Sequence, residues 1–547
     1  MSNNELPEEV AADLILLNGQ VLTMDAKATL AEAIVIKDDR ISYVGNNLCA
    51  KQKRGLKTRT IDLQGHVVLP GFIDAHNHLA ISAVDSVAVD CSPEKVQSIY
   101  EIIQKIAATA QGNPDTPWLR GVNYDDARLI EKRHPTRWDI DQIIPNRPVL
   151  LVHRGYHIAV INSAGMQILG ITEDTTPPIG GSYGRDSQSG KLNGILYENA
   201  WFDLWGKPNS PLNIDNEAFV QGVKKVCDHY IQTGITSVND AWVSSSSFRG
   251  FQEAMKRGLL PIRVNLHIIN THLDQLEDVG ISRGFGNSQL KIMAVKILLD
   301  GSVSGLTAAL YEPYIGTNDT GILLMEKEKI AKLIERIHKL GFQVSVHANG
   351  GKAIDIVLDV FEDVLRSFPR LDHRHRIEHC SLVSPERIQR IKALNLIPVI
   401  FAAYPYYHGD KILPAFGVER VKWMMACRSL IDAGVTIAGH SDYPASPYNP
   451  LLAIHSLVNR RTERGIPFSP NQAITVYEAL CMYTIDAAYA SFDEKSKGSI
   501  EPGKFADLTI LHENPLRVAR DQIKNIEVLM TIANGKIVYQ KEKTNSA

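Results

Sequence analysis

The stretch VVLPGFIDAHNHLA, residues 67–80, runs apolar and then places His76 and His78 two residues apart. In an extended strand side chains alternate between faces, so residues two apart point the same way. Both imidazoles can therefore converge on one point just past a buried strand, where a metal ion would fit. One His-x-His pair decides nothing alone. Four further residues share its setting: Lys296 in KIMAVKILLDG, His347 in GFQVSVHANG, His379 in HRIEHC and Asp442 in GVTIAGHSDYP. Each stands at or near the end of an apolar run. Taken singly, His347 and His379 also fit hydrogen-bonded core histidines, and Asp442 also fits a turn cap. Together they favour one shared site. Nitrogen and oxygen donors of this kind suit zinc first, with manganese or iron as alternatives.

The elements that must position these residues are an alternation of strands and helices. GITSVNDA, IRVNLHII and LIPVIFAAYP join the runs already quoted as strand candidates. Between several of them lie amphipathic stretches such as KEKIAKLIERIHKL and SPERIQRIKAL, with apolar residues at helical spacing. With the opening strand this makes eight strands, and eight such repeats imply a parallel (β/α)8 TIM-like barrel of the α/β class. In that architecture chemistry gathers at the C-terminal ends of the strands, where the residues above lie. The barrel is expected over residues 71–490. A segment of about residues 85–215 interrupts it after the first strand and is too long for a plain crossover, so it should cover the active site.

Both chain ends read differently. Residues 1–70 and 491–547 hold short strands with turn signals, including Asn18-Gly19, Asp38-Asp39 and Asn534-Gly535. Asn-Gly between apolar runs is a strong hairpin signal. Neither end has enough strands for its own core, so the two should pair into one small β-sandwich domain.

Composition narrows the function. The 547 residues are 44% hydrophobic and 22% charged with a net charge of −3, so no global field favours nucleic acid or an anionic membrane. A small-molecule substrate is the expected partner, and a homodimer is left open. The N-terminus lacks a signal-peptide pattern, no apolar run is long enough to span a bilayer, and six scattered cysteines form no C-x-x-C pair. These features lead to the expectation of a cytoplasmic location.

The motifs LPGFIDAHNHL, VKILLDGSVSGLTAAL, VSVHANG, RIEHC, GHSDYP and KGSIEPGKFADLTIL together resemble the amidohydrolase superfamily, in particular its YtcJ-like branch, which includes N-substituted formamide deformylases. The resemblance spans nearly the whole chain. It implies one or two divalent metals bound by His76, His78, His347, His379 and Asp442. It also implies that Lys296 is carboxylated and bridges two metals. Burial lowers a lysine pKa, and a neutral amine can take up carbon dioxide. A salt-bridged lysine or a direct substrate contact remains the alternative at that position. WLRGVNYDDARLIEKRHPTRWDID and RPVLLVHRGYHIAVINSAG resemble the branch's covering segment, with His157 facing the metals and Arg154 and Tyr156 as further substrate contacts. One departure stands out: FAAYPYYHGD lacks the glutamine that relatives often carry before the proline. Tyr404, Tyr407 and His408 there are candidates for an aromatic pocket.

The resemblance implies a metal-dependent hydrolase that cleaves an amide or formamide C–N bond. Asp442 would carry the proton between water and leaving nitrogen, and His157 would stabilise the developing oxyanion. The rivals are a deaminase acting on a ring amino group and a non-catalytic regulatory protein on the same scaffold.

Overall fold

A computed structural model describes residues 11–112, 116–205 and 210–542. Eight strands form its central sheet: β1 (Phe72–Asn77), β2 (Ile235–Val243), β3 (Arg263–Ile269), β4 (Leu290–Leu298), β5 (Gln343–Ala348), β6 (Arg376–His379), β7 (Ile397–Phe401) and β8 (Ala438–His440). They pair in sequence order and all in parallel, making the expected (β/α)8 barrel. Strands covered on both faces read as near-continuous apolar runs, and all six residues of β1 are buried. The outer helices show one apolar face each. Lys327–Lys339 buries Ile330, Ile334 and Ile337, and Pro385–Ala393 begins at Ser384, whose side chain accepts from Arg387 N.

Among the described residues no ladder closes β8 onto β1. Bonds past the strand ends do so instead: Asp442 N donates to His76 O at 3.1 Å, and His78 N to Tyr443 O at 3.1 Å. Deeper in the seam the fully buried Asp74 accepts from Ser441 N at 2.9 Å, from Asn77 Nδ2 at 2.9 Å and from the Ser441 hydroxyl. The closure therefore brings the two histidines of β1 against the aspartate that follows β8.

The inserted segment has its own six-stranded sheet, in the order Gly181–Arg185, Leu192–Glu198, Ile158–Ile161, Val149–His153, Leu119–Tyr124 and Val89–Asp90. Helix Ile99–Gly112 packs on it, burying Ile99, Ile102, Ile103 and Ile106 against Leu119, Leu151 and Val160.

The chain termini supply two further sheets with a shared core that includes Leu16, Ile34, Val68, Leu508 and Ile532. Leu508–Leu511 lies antiparallel to Val67–Pro70, which joins the two ends of the chain in one sheet. The hairpins at Asp38-Asp39 and Asn534-Gly535 form. The one expected at Asn18-Gly19 does not. Leu14–Leu17 and Gln20–Leu22 lie in different sheets, because Asn18 at φ 58° turns a corner of the sandwich. Their parallel neighbours, Arg59–Asp62 and Val67–Pro70, follow the same route from one sheet to the other. All four residues of Leu14–Leu17 are buried, so each strand gains more from a separate sheet than from the other.

Replacing Asp74 by Ala removes the acceptor of Ser441 N and of the Ser441 hydroxyl and leaves Asn77 Nδ2 only a long bond to Ser441 Oγ at 3.4 Å. At about 1–3 kcal/mol for each such group, Asp74→Ala is expected to lower unfolding free energy by several kcal/mol. Urea unfolding checks this, and a loss under about 1 kcal/mol would remove the latch role.

Candidate active site

His76 sits inside β1 and His78 just past its end, capping the helix Leu79–Asp85. The Nε2 atoms of both lie 3.2 Å from one oxygen, Oδ1 of Asp442. His379 Nδ1 and Asp442 Oδ1 are buried and make no directed hydrogen bond. His76, His379 and Asp442 each offer a ligand atom within 4.8 Å of the others. Lys296 Nζ is 3.4 Å from His76 Nε2. The His347 ring stands 4.5 Å from that of His379. Its Nε2 faces Gly301 O at 3.2 Å and Asn349 at 2.9 Å, which leaves Nδ1 as the free donor atom.

The chemistry of this set fits a cation. His76 gives its Nδ1 proton to Glu378 Oε2 at 2.6 Å, so its Nε2 carries a lone pair aimed at another acceptor. Two acceptors 3.2 Å apart repel unless a positive charge lies with them. Burial and the Lys296 cation push His76 well below the usual histidine range. Burial and neighbouring imidazoles do the same to His347 and His379. Neutral imidazoles are the form that metals bind. Burial lowers Lys296 to about 8, the carboxylates of Glu378 and Asp442 opposing it.

Several buried groups here escaped the sequence reading. Glu378 accepts from His76, Arg376 and Ser345, and although burial opposes its ionisation, Arg376 and Lys296 hold it at about 2. Asp300 accepts from the backbone of Ala309, Asn349 and Gly350 and fixes the loops around His347; burial raises it to about 7. His440, two residues before Asp442, is fully buried with neither ring nitrogen paired, 4.9 Å from the His76 ring and 5.0 Å from that of His379. Its signal was present: His-x-Asp has the same two-residue spacing as His-x-His.

The insertion contributes His157, whose ring is 5.2 Å from that of His347. Its Nδ1 bonds Glu198 Oε2 at 2.6 Å. Burial disfavours the imidazolium, but the Glu198 carboxylate outweighs it and raises the His157 pKa. His157 joins His78, Lys296, His347, His379 and Asp442 around a cavity of about 40 Å³, completed by Ile81, Phe202, Trp205, Trp242 and Leu298. Tyr156 also lines it, with its hydroxyl turned to Asp85. Tyr404 lines an adjoining recess with His157, His347 and Asp442, and its hydroxyl accepts from Ser304 N at 2.6 Å.

Arg154, Tyr407 and His408 stand behind this wall. Arg154 donates to the Tyr407 hydroxyl and to Ala445 O, and His408 Nε2 bonds Ala445 O at 3.1 Å. They tie the insertion to the loops after β7 and β8, as does Lys411 to Asp126 at 2.8 Å.

Comparison with known proteins agrees with this geometry. An N-substituted formamide deformylase of Arthrobacter pascens is 31% identical over 539 residues, 97% of this chain and 98% of that protein. The Arabidopsis thaliana protein LONG AFTER FAR-RED 3 is 29% identical over 547 residues, 97% and 92% of the two chains. A crystal structure of an uncharacterized metal-dependent hydrolase from Pyrococcus horikoshii OT3 superposes with a TM-score of 0.75 at 28% identity, covering 93% of this chain and 99% of that one. The signature of the amidohydrolase family matches residues 59–539, and with that the chain belongs to this family.

Proposed function

We propose that the chain hydrolyses the C–N bond of small N-substituted formamides or amides, within the metal-dependent hydrolase chemistry of its family. One observation carries the reading. Donor atoms of His76, His78 and Asp442 converge beside a cavity that Lys296, His157, His347 and His379 also line, and whose remaining wall, with Tyr156, Phe202, Trp205 and Trp242, is uncharged and largely aromatic. Such a wall suits a neutral substrate with an apolar substituent. No described helix is long and apolar enough to cross a membrane, and all six cysteines are free thiols. Both features support a cytoplasmic protein with a diffusible substrate.

Zinc is the proposed cation, held by His76, His78, His347, His379 and Asp442, with Lys296 contributing as its carbamate when two ions bind. A divalent ion in such a site polarises a carbonyl and acidifies water at neutral pH. The side chains do the rest. Asp442 accepts the proton of the attacking water and returns it to the leaving nitrogen. His157, as imidazolium, donates through Nε2 to the carbonyl oxygen as charge develops there. Phe202, Trp205 and Trp242 pack the substituent and keep bulk water out.

The direct test is metal analysis of unchelated protein with a screen of formamides, acyl amides, cyclic amides and esters. Release of an amine together with formate or another carboxylate is expected. Ammonia as the sole product from a ring substrate would replace this reading with a deaminase.

Asp442→Asn keeps the shape of the side chain but cannot cycle a proton. Turnover is expected to fall by about 10²–10⁴ with much of the metal retained. Near-wild-type turnover in the metal-loaded variant would disprove the shuttle.

Lys296 gives a pH-dependent expectation. Its amine is neutral above about 8, where it can add to carbon dioxide and release one proton, and charged below it. Bicarbonate should therefore speed reconstitution of apoprotein with zinc more strongly above that pH than below it. Lys296→Met should show no bicarbonate effect. Equal rates with and without bicarbonate in the wild type would sink the carbamate.

A further inference from the structure

The insertion sends His157 into the cavity, and a partner assigned by neither motif nor comparison holds that ring in place. Glu198 ends the strand Leu192–Glu198 and is fully buried. Its Oε2 takes the Nδ1 proton of His157 at 2.6 Å, and its Oε1 takes the Thr307 hydroxyl proton at 2.5 Å. Thr307 Oγ1 in turn accepts from Ser302 N at 2.9 Å. The backbone adds a second tie, Glu198 N to His157 O at 2.9 Å.

Two further features mark a built seat. Glu198 has φ 50° and ψ −122°, a conformation disfavoured for any residue with a Cβ. Such strain persists only where the surroundings over-determine it. On the barrel side, a Cβ at Gly301 would stand 2.5 Å from Glu198 Oε1 and 2.3 Å from Thr307 Oγ1. A glycine is required for the carboxylate to enter. Ser302 and Thr307 belong to the loop after β4, so the carboxylate is gripped by insertion and barrel together.

We propose that Glu198 is a positioning residue for His157, with Thr307 and the glycine at 301 completing its seat from the barrel. Glu198 commits Nδ1 and sets the plane of the ring, so that Nε2 faces the substrate carbonyl. Thr307 holds the carboxylate in register with the barrel. His157 is therefore aligned only when the insertion is seated on the loop after β4. The kinetic consequence rests on the hydrolase reading; the placement of the proton does not.

The test is a double-mutant cycle on zinc-loaded full-length protein with N-phenylformamide as substrate. Glu198→Ala is expected to lower kcat by about 10²-fold, the scale of losing one oriented oxyanion donor, with KM and zinc content little changed. Glu198→Gln, whose amide oxygen can still accept the Nδ1 proton, should recover most of that loss. Thr307→Val should fall between them. Glu198→Ala placed on His157→Ala should cost nothing more, because a residue acting through another cannot be lost twice. Proton NMR supplies an arm that needs no substrate: a low-field Nδ1–H resonance present in the wild type should vanish in both His157→Ala and Glu198→Ala. Multiplying losses in the double variant, loss of zinc with Glu198→Gln, or survival in Glu198→Ala of the resonance that His157→Ala removes would each overturn the proposal. If N-phenylformamide is not turned over at all, the formamide reading fails and the NMR arm still decides the role of Glu198.

Discussion

A buried carboxylate that decides where a proton sits governs the barrel mouth. Glu378 takes the Nδ1 proton of His76, and only then does Nε2 of that ring become a lone pair facing Asp442. An isolated ionised carboxylate inside a barrel is costly, and it persists when its oxygens are filled by well-placed donors. Here Arg376 reaches both oxygens, at 2.8 and 3.0 Å, Ser345 takes Oε1 at 2.6 Å and His76 takes Oε2. The same guanidinium donates to Ala75 O, one residue before His76. Strands β1, β5 and β6 are thus tied to one charge. Partners of this kind fix the tautomer and aim of a ligating ring.

The insertion repeats the device from above. Glu198 does for His157 what Glu378 does for His76, and in both pairs the bond is 2.6 Å. The difference lies in what is tied together. Glu378 joins strands of one barrel, whereas Glu198 joins the insertion to the loop after β4. A cavity of about 40 Å³ accepts a reacting group but not a drug-sized molecule, whose pockets span roughly 300–1,000 Å³. A larger substituent must displace the Phe202, Trp205 and Trp242 wall. Phe202 and Trp205 of that wall belong to the insertion that carries His157, and Trp242 belongs to β2.

Much of this was legible in the sequence because it follows from periodicity. Apolar runs alternating with amphipathic stretches gave the barrel, and polar residues at strand ends gave His76, Lys296, His347, His379 and Asp442. The corner at Asn18-Gly19 was not legible. Asn-Gly specifies a left-handed turn, and whether the flanking strands then pair or part depends on sheets formed by residues forty positions onward. The carboxylates were hidden for another reason. Glu378 lies beside a stronger signal, His379, and Glu198 lies in YENAW, where nothing local distinguishes it from a surface acid. Their burial is set by Arg376 and Thr307, partners that only the fold brings near.

Arg154, Tyr407 and His408 show the converse limit. Their types suit substrate binding, yet a guanidinium, a phenol and an imidazole also suit the joint between two packed bodies, where each polar group needs a partner as water leaves. The fold uses them that way, with Ala445 O accepting from both Arg154 and His408. Ala445 itself lines the cavity one residue after the Tyr443-Pro444 bond. These residues therefore hold the backbone of Ala445, with Arg154 tied in turn to the Tyr407 hydroxyl. The shape of the cavity therefore rests on this joint as well as on the aromatic wall, since a shift of Ala445 would move the lining beside Asp442 while His76 and His78 stay fixed by β1 and the helix that follows it.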